Sequence, residues 1–339
     1  MSDCLHRRPI AVSMGDPAGV GPEVIARAWE KRVDHDLPVF VAIGDAAAIE
    51  AVWDGPIARI DDMEAACAAF SGALPVWHLS DAGPITPGEP NPAGAGSALL
   101  ALETAIGFTR NGASAALVTG PVSKHELQGI GYTHPGQTEF IAERCGVMAS
   151  NAVMMLAGPS LRVVPLTIHI PLIEVPERLT TDLILSRARV VVRGLVRDFG
   201  IENPRIAIAG LNPHSGESGR LGDEEVRVIQ PAVDILLAEG VDIEGPLAAD
   251  ALFAPPVRIR YDAILCAYHD QALAPFKALH FHDGVNLTLG LPIIRTSPDH
   301  GTAFNIAGKN MADPMPMIAA IRTAAFLAEA RDRTATAAR

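Results

Sequence analysis

Short apolar runs recur along this chain, and longer stretches with helical patterning separate them. The runs predicted as strands cover residues 9–14, 38–43, 75–79, 115–119, 161–168, 205–211 and 262–268. Strands that alternate with helices predict βαβ units and a parallel sheet. Because a parallel sheet is covered by helices on both faces, we expect an α/β fold.

The composition restricts the class of ligand. A chain of 339 residues has room for two domains, and 49% hydrophobic residues with 30 glycines and 27 prolines indicate a globular, turn-rich protein. The net charge of −12 argues against nucleic-acid binding, which normally requires a basic face. An anionic small ligand remains compatible with this charge, since a few local cations suffice to bind it.

Cysteine usage and the N-terminal segment predict the compartment. Cys4, Cys67, Cys145 and Cys266 lie far apart and show no paired spacing. This pattern favours free thiols in a reducing compartment over a disulfide framework or a cysteine-based zinc site. The N-terminal segment has no apolar signal core, and no apolar run reaches membrane-spanning length. We therefore expect a cytoplasmic protein that does not bind membranes.

A histidine follows three of the predicted strands. His169 follows the run 161–168, His214 comes soon after the run 205–211, and His269 follows the run 262–268. The carboxyl ends of parallel strands lie along one edge of a sheet, where ligands bind. Three neutral imidazoles with an open position would form a catalytic divalent site, suited to zinc but compatible with cobalt or nickel. Taken singly, each is more often a hydrogen-bonded core or loop histidine.

Polar residues after the third of these histidines suit an anionic substrate. Asp270 is adjacent to His269, and Lys277, Asn286 and Arg295 follow at similar intervals. Taken singly, the lysine is usually a surface residue, the asparagine a turn residue and the arginine part of a structural ion pair. Their common occurrence downstream of a candidate metal ligand favours a binding site.

Two further features have structural alternatives. Gly15, Gly19 and Gly21 form a glycine-rich turn between a strand and a helix, which we interpret as a turn at the edge of a cleft, in preference to a nucleotide-phosphate loop. Thr138 opens a predicted helix. By position alone it is predicted to be a helix cap, although its hydroxyl could also donate to a phosphate.

The ordered motifs GDPAGVGPE, VTGPVSK, PGQTEF, LNPHSGE, YHDQ and GVNLTLGLPIIRTSPDHGTA resemble those of the PdxA family, the 4-hydroxythreonine-4-phosphate dehydrogenases of vitamin B6 synthesis. The resemblance covers residues 14–309. The segment DHGTAFNIAGK also resembles the element that holds the adenosine half of NAD in isocitrate and isopropylmalate dehydrogenases. The resemblance implies an isocitrate/isopropylmalate-dehydrogenase-like α/β/α fold with two domains around a central cleft. We expect residues 1–135 with 306–339 in the first domain and 136–305 in the second.

The resemblance also implies roles for individual residues. The implied metal ligands are His169, His214 and His269. The implied substrate-binding residues are Gln137, Thr138, Lys277, Asn286 and Arg295. The implied cofactor-binding residues are His300, Gly301, Thr302, Ala303 and Asn305. Our candidate catalytic residues are Lys277 and Asp270, the second of which would help proton transfer. The family commonly has histidine where this chain has Gln137, which can donate a hydrogen bond but carries no charge.

The resemblance implies an oxidoreductase. It would oxidise 4-phosphooxy-L-threonine with NAD or NADP and a divalent metal (zinc, cobalt or magnesium), and the β-keto acid product would decarboxylate to 3-amino-2-oxopropyl phosphate. A homodimer with the metal site at the subunit interface is implied as well. The alternatives are a related dehydrogenase of a cis-dihydrodiol carboxylate, and a non-catalytic nucleotide- or metal-binding protein. A closed structural zinc site would need a fourth protein ligand, and the sequence offers no convincing one.

Overall fold

The computed structural model describes residues 8–79 and 83–337. These residues form the strands β1 Ile10–Ser13, β2 Phe40–Gly44, β3 Ile57–Ile60, β4 Leu74–His78, β5 Ala116–Thr119, β6 Val153–Gly158, β7 Leu161–Pro165, β8 Ile206–Ala209, β9 Ile243–Leu247, β10 Ala263–Cys266, β11 Val285–Leu289 and β12 Arg295–Pro298.

The helices are α1 Gly21–Glu30, α2 Ala46–Glu50, α3 Ala65–Phe70, α4 Pro92–Arg110, α5 Lys124–Gly129, α6 Gln137–Arg144, α7 Val175–Arg178, α8 Thr181–Phe199, α9 Gln230–Ala238, α10 Ala249–Leu252, α11 Pro255–Arg258, α12 His269–Leu279 and α13 Met315–Ala337. Short helical turns of other types lie between them.

The first compact unit comprises Met1–Ala149 and Leu291–Glu329. Its strand order is β3-β4-β2-β1-β5-β12, and every pairing is parallel. All residues of β1, β2 and β5 are buried, as expected for strands covered on both faces. Helix α4 packs against these three strands. Their carboxyl ends therefore lie side by side at one edge.

The second compact unit comprises Ser150–Gly290 and Ala330–Arg339. Its strand order is β11-β6-β7-β10-β8-β9. The strands β7, β10, β8 and β9 pair in parallel, whereas β6 is antiparallel to both β7 and β11. One core cluster joins α12 to the sheet through Phe276 and Leu273, which pack with Leu156, Val163 and Ile264.

The α/β class is confirmed, but the unit boundaries differ from those expected at 135/136 and 305/306. The structure places them at 149/150, 290/291 and 329/330. Strand β12 pairs with β5, so the chain from Leu291 to Glu329 belongs to the first unit. Consequently Arg295 and Thr138 lie in the first unit, and the last residues of α13 lie in the second.

Local structure also departs from the sequence pattern. Helix α4 begins at Pro92, where the Asn91 side chain caps it by accepting from the Gly94 amide at 2.8 Å. In the second unit β6 is antiparallel to both of its neighbours, and the sequence pattern predicted neither β6 nor β11. The predicted strands that precede the three histidines are shorter in the structure than in the sequence pattern.

The cysteines depart in part from the expectation of free thiols. Cys145 and Cys266 are free, whereas Cys67 is disulfide-bonded, and Cys4 lies outside the described residues. Burial raises the pKa of the Cys145 thiol, and more strongly that of Cys266, so both stay protonated at neutral pH. Within residues 8–79 and 83–337, no helix has the length and apolarity needed to cross a bilayer.

Candidate functional site

In the second unit, the three histidines follow neighbouring parallel strands. Strand β10 lies between β7 and β8, and the chain beyond these three strands carries His269, His169 and His214 respectively. The ring centroids of His169 and His269 are 5.6 Å apart. Both residues line a cavity of about 330 Å³. The structure thus brings two of the three predicted metal ligands together at one sheet edge.

Asp270 orients one of these imidazoles. Its Oδ1 lies 2.6 Å from Nδ1 of His269, and its side chain is 82% exposed. A carboxylate at Nδ1 holds the proton there and leaves Nε2 as the lone-pair donor. The geometry therefore assigns Asp270 a contact with the imidazole of His269, the arrangement that commonly supports metal-binding histidines.

His214 lies in an unusual backbone conformation. Residues 214–219 all have positive φ, with values of 49° at His214, 51° at Ser215, 44° at Glu217 and 59° at Ser218. The segment is a short left-handed helical turn. Left-handed backbone costs non-glycine residues roughly 1–2 kcal/mol each, so surrounding contacts must maintain the turn. Such strain is typical of functional sites.

The donor set fits a divalent cation in kind, but one chain does not complete it. Imidazole nitrogens suit zinc and cobalt. However, no group of three His, Cys, Asp or Glu side chains among residues 8–79 and 83–337 is placed to hold a metal ion. His214 is therefore not grouped with His169 and His269 within one chain, although all three follow the same edge of the sheet.

Two predicted substrate residues also lie in the second unit. Lys277 is in the last turn of α12, the helix that begins at His269. Asn286 is on β11, where it is opposite Leu156 of β6. Both side chains are partly buried. The unit thus supplies a cation and an amide in addition to the imidazoles.

In the first unit, Arg295 and Thr119 form a buried polar pair. Arg295 is 5% exposed, and its Nη2 donates to the Thr119 Oγ1 at 2.8 Å across neighbouring strands. Burial lowers the pKa of Arg295 to about 10, and the nearby Glu139 opposes this change. The guanidinium stays charged at neutral pH. A buried cation of this kind can bind a phosphate or carboxylate through charge-assisted hydrogen bonds.

Gln137 and Thr138 begin the helix α6. The Gln137 Nε2 donates to the Gly120 carbonyl at 3.2 Å, while its buried Oε1 has no hydrogen-bond partner within the described chain. Gln137 thus offers an acceptor atom for a ligand. The prediction that Thr138 caps this helix was wrong, because Gly136 is the N-cap and Thr138 lies in the first turn. The Thr138 hydroxyl is thus not used as the N-cap.

The predicted cofactor residues follow β12 and contact the glycine-rich turn. The Val20 amide donates to the Thr302 carbonyl at 2.9 Å. A Cβ at Gly19 would lie 2.9 Å from the same carbonyl, so only glycine fits there.

Ala303 has a left-handed φ of 44°, and the buried Nε2 of His300 has no partner in the part of the chain that the structure describes. The turn at residues 15–20 thus supports the backbone of this loop. Gly301 and Asn305 of the same loop are both exposed.

The sequence-based interpretation did not select three polar residues that the structure places near these elements. Asp16 is buried, and burial is the main cause of its raised pKa. Asn212 and Glu225 bind each other next to the turn that carries His214. Asp16 and Asn212 lie within the motifs quoted above, and Glu225 opens the following helix, but nothing in their spacing indicates burial.

Residues 36–324 match the family described as pyridoxal phosphate biosynthetic protein PdxA. The chain is 56% identical over 324 residues to a 4-hydroxythreonine-4-phosphate dehydrogenase of Zymomonas mobilis, covering 96% of this chain and 97% of that protein. The crystal structure of the Klebsiella pneumoniae 4-hydroxythreonine-4-phosphate dehydrogenase superposes with a TM-score of 0.85 at 36% identity, covering 95% and 99% of the two chains.

A terephthalate 1,2-cis-dihydrodiol dehydrogenase from Burkholderia xenovorans is also similar, with a TM-score of 0.65 at 28% identity, covering 95% and 98% of the two chains. Its identity to this chain is half that of the Zymomonas mobilis protein. The family match spans most of the chain. The chain therefore belongs to the PdxA family, and it is an oxidoreductase of the dehydrogenase type.

Proposed function

We propose that this dehydrogenase oxidises 4-phosphooxy-L-threonine with NAD or NADP to 2-amino-3-oxo-4-phosphooxybutanoate. This product then loses carbon dioxide to give 3-amino-2-oxopropyl phosphate in pyridoxal phosphate biosynthesis. The observation that carries the proposal is the nearly full-length identity of 56% to a 4-hydroxythreonine-4-phosphate dehydrogenase. The site chemistry agrees with it, because a buried guanidinium and a partly buried lysine suit an anionic substrate.

Arg295 is proposed to bind the phosphate or the carboxylate of the substrate, with Thr138 of the same unit as a hydrogen-bonding partner. Asn286 of the second unit is proposed as a further substrate-binding residue. Thr119 holds the guanidinium in place from the neighbouring strand. The side-chain amide nitrogen of Gln137 donates to the Gly120 carbonyl, so its Oε1 remains to accept a hydrogen bond. We assign this oxygen to the substrate ammonium or hydroxyl group, in contrast to the donor role expected from the sequence.

The divalent cation is proposed to bind His169, His269 and His214. When bound, such a cation lowers the pKa of the substrate hydroxyl and stabilises negative charge on its oxygen. Asp270 holds the Nδ1 proton of His269, which keeps Nε2 available as a ligand. Lys277 is proposed to place its ammonium near the carboxylate and, after carbon dioxide leaves, near the enolate oxygen.

A homodimer is proposed to complete the metal site. One chain groups only two of the imidazoles, and Leu172 and Ile173, which follow His169 closely, are strongly exposed apolar residues. Exposed apolar residues beside an incomplete site fit a subunit interface. The cytoplasm is the proposed location of the dimer.

The loop at His300, Gly301, Thr302, Ala303 and Asn305 is proposed to bind the nicotinamide cofactor. The cofactor accepts the hydride when it is bound. Support from the glycine-rich turn keeps the loop backbone in place, since the Thr302 carbonyl is held by the Val20 amide. The buried Nε2 of His300 would gain a hydrogen-bond partner from the ligand.

A cis-dihydrodiol carboxylate is the second candidate substrate, favoured by the likeness to the Burkholderia xenovorans enzyme and by glutamine at position 137. The deciding experiment follows NAD and NADP reduction with each substrate, before and after EDTA, and after zinc, cobalt or magnesium is added back. We expect reduction with 4-phosphooxy-threonine that EDTA abolishes and a divalent metal restores. Full activity after chelation, or reduction with the dihydrodiol alone, would contradict the proposal.

A further inference from the structure

Two uncommon backbone segments follow each other next to His214. The left-handed turn at residues 214–219 is followed by a π-helical turn over Glu225–Ile229. Turns of the π type are rare and occur frequently at functional sites. The first residue of this π turn, Glu225, is only 2% exposed. A buried carboxylate is unfavourable unless it is hydrogen-bonded, so its partners indicate its role.

Both carboxylate oxygens of Glu225 bind Asn212, the residue from which the left-handed turn starts. The backbone amide of Asn212 donates to Oε1 at 2.7 Å, and its side-chain Nδ2 donates to Oε2 at 3.0 Å. Only Pro213, whose ring restricts φ, separates Asn212 from His214. Fixing Asn212 therefore fixes the backbone that enters His214.

The same carboxylate also lies against the backbone on either side of His214. A Cβ on Gly216 would lie 2.6 Å from Oε2 of Glu225, and a Cβ on Gly210 would lie 3.1 Å from Oε1. Gly216 itself has a φ of 75°. The turn thus approaches Glu225 so closely that its path depends on where the carboxylate sits.

The neighbouring Glu224 makes fewer hydrogen bonds to Asn212 than Glu225 does. Its Oε2 accepts from the side-chain Nδ2 of Asn212 at 2.7 Å, and the residue is only partly buried. Glu225, in contrast, also accepts from the Asn212 backbone. The two adjacent glutamates therefore form a matched pair for experiment. Glu225 accepts hydrogen bonds from the backbone and the side chain of Asn212, and Glu224 accepts one from the Asn212 side chain.

We infer that Glu225 is a positioning residue, which holds the left-handed turn so that the His214 imidazole serves as a ligand of the divalent cation. The inference rests on the proposed function, because that function supplies the metal. Glu225 acts through Asn212 and the turn. Removing outer partners of metal ligands typically weakens metal binding about 10- to 100-fold, and we expect this range here.

The test compares Glu225→Gln with Glu224→Gln in the full-length protein. Glutamate accepts through two oxygens, whereas glutamine has one oxygen and one NH₂ group. In Glu225→Gln the NH₂ group would therefore face an N–H donor of Asn212, and one of the two hydrogen bonds would be lost. Titration of the metal-free proteins with Zn²⁺ and Co²⁺ is expected to show about 10- to 100-fold weaker binding for Glu225→Gln. Binding to Glu224→Gln and the KM for the nicotinamide cofactor are expected to stay at wild-type values.

Hydrogen exchange of the metal-free proteins gives a readout that does not depend on metal binding. Residues 212–221 are expected to exchange faster in Glu225→Gln and at the wild-type rate in Glu224→Gln. Unchanged exchange, or faster exchange with unchanged metal affinity, would overturn the positioning role. If wild-type protein binds neither ion, the proposed metal function fails, and the exchange comparison still decides whether Glu225 holds the turn.

A third variant covers the case in which Glu225→Gln loses stability throughout the second unit. Glu225→Asp keeps two acceptor oxygens, so we expect part of the metal affinity to return relative to Glu225→Gln, together with slower exchange at residues 212–221. An aspartate variant with metal binding as weak as that of the glutamine variant, in a folded protein, would overturn the inference.

Discussion

The imidazole of His269 and the carboxylate of Asp270 are joined by a 2.6 Å contact between Nδ1 and Oδ1, although the two residues are adjacent in sequence. The contact lies at the start of α12, next to the carboxyl end of β10. It leaves Nε2 of the imidazole as the atom that can face a ligand. The exposed Asp270 side chain thus favours one tautomer of His269, a proposed metal ligand.

Replacement of Asp270 tests this relationship. Because the Asp270 side chain is 82% exposed, Asp270→Ala is expected to leave the Tm of the metal-free protein unchanged. Zn²⁺ affinity is expected to fall about 10- to 100-fold, because the imidazole loses the partner that fixes its tautomer. Asp270→Asn keeps one acceptor and should lie between the two. Calorimetric titration gives the affinities, and wild-type affinity in Asp270→Ala would contradict the assignment.

Arg295 is predicted to determine the KM for the phosphorylated substrate. A hydrogen bond to a charged group is worth about 1.5–3 kcal/mol, so Arg295→Lys should raise KM about 10- to 100-fold. The lysine keeps the charge but loses the planar fork that binds both Thr119 and an anion. Steady-state kinetics measure the effect.

The matched control for this variant is Arg162→Lys, which changes another arginine with a burial-lowered pKa that donates to the Asp262 carbonyl in the second unit. It is expected to keep the wild-type KM. Equal KM values for Arg295→Lys and wild type would remove Arg295 from the substrate site.

Asp16 makes stability depend on pH in a defined direction. Burial raises the pKa of Asp16 above the ordinary aspartate value of 3.8, so the folded protein binds this proton more tightly than the unfolded chain. The stabilising contribution is complete below pH 3.8 and is lost as pH rises through the raised folded pKa. Asp16→Asn should therefore unfold at higher denaturant concentration than wild type at pH 7, and the difference should shrink towards pH 4. A constant difference across this range would contradict the predicted linkage.

The exposed apolar residues after His169 are predicted to lie in the interface of the proposed homodimer. Ile173 is 88% exposed, so Ile173→Asp should not disturb the fold of one chain. It should shift the protein from dimer to monomer in sedimentation velocity, and metal binding should fall in parallel. Ile259→Asp, at a residue that is 68% exposed in the same unit, is the control and should stay dimeric. A dimeric, metal-binding Ile173→Asp protein would exclude this surface from the interface.

The sequence predicted seven of the parallel strands, β1, β2, β4, β5, β7, β8 and β10, because apolar runs flanked by turn residues are local signals, but it missed β3, β9 and β12. It placed His169, His214 and His269 after β7, β8 and β10, and these strands are indeed neighbours. It did not predict the antiparallel strands β6 and β11, whose pairing depends on contacts distant in sequence. The unit boundaries moved for the same reason, since β12 returns to β5.

The conformation of His214 was beyond sequence reasoning. Positive φ is easily predicted at glycine, but here it extends through Ser215, Glu217 and Ser218, where no local preference supports it. The buried Glu225 that contacts the turn lies beyond a polar loop, in a π turn with no sequence signature. The burial of Gln137 Oε1 and the use of its amino group on Gly120 likewise depend on tertiary packing.

The left-handed turn also bears on any attempt to adapt this enzyme to heat. Glycine at Ser215 or Glu217 would relieve the backbone cost of positive φ, and a screen for thermotolerance alone would be expected to enrich such changes. The same substitutions would make the backbone around His214 more flexible, so its imidazole would be held less firmly in position. Directed evolution for thermostability and for catalytic turnover would therefore select opposite changes at residues 214–219.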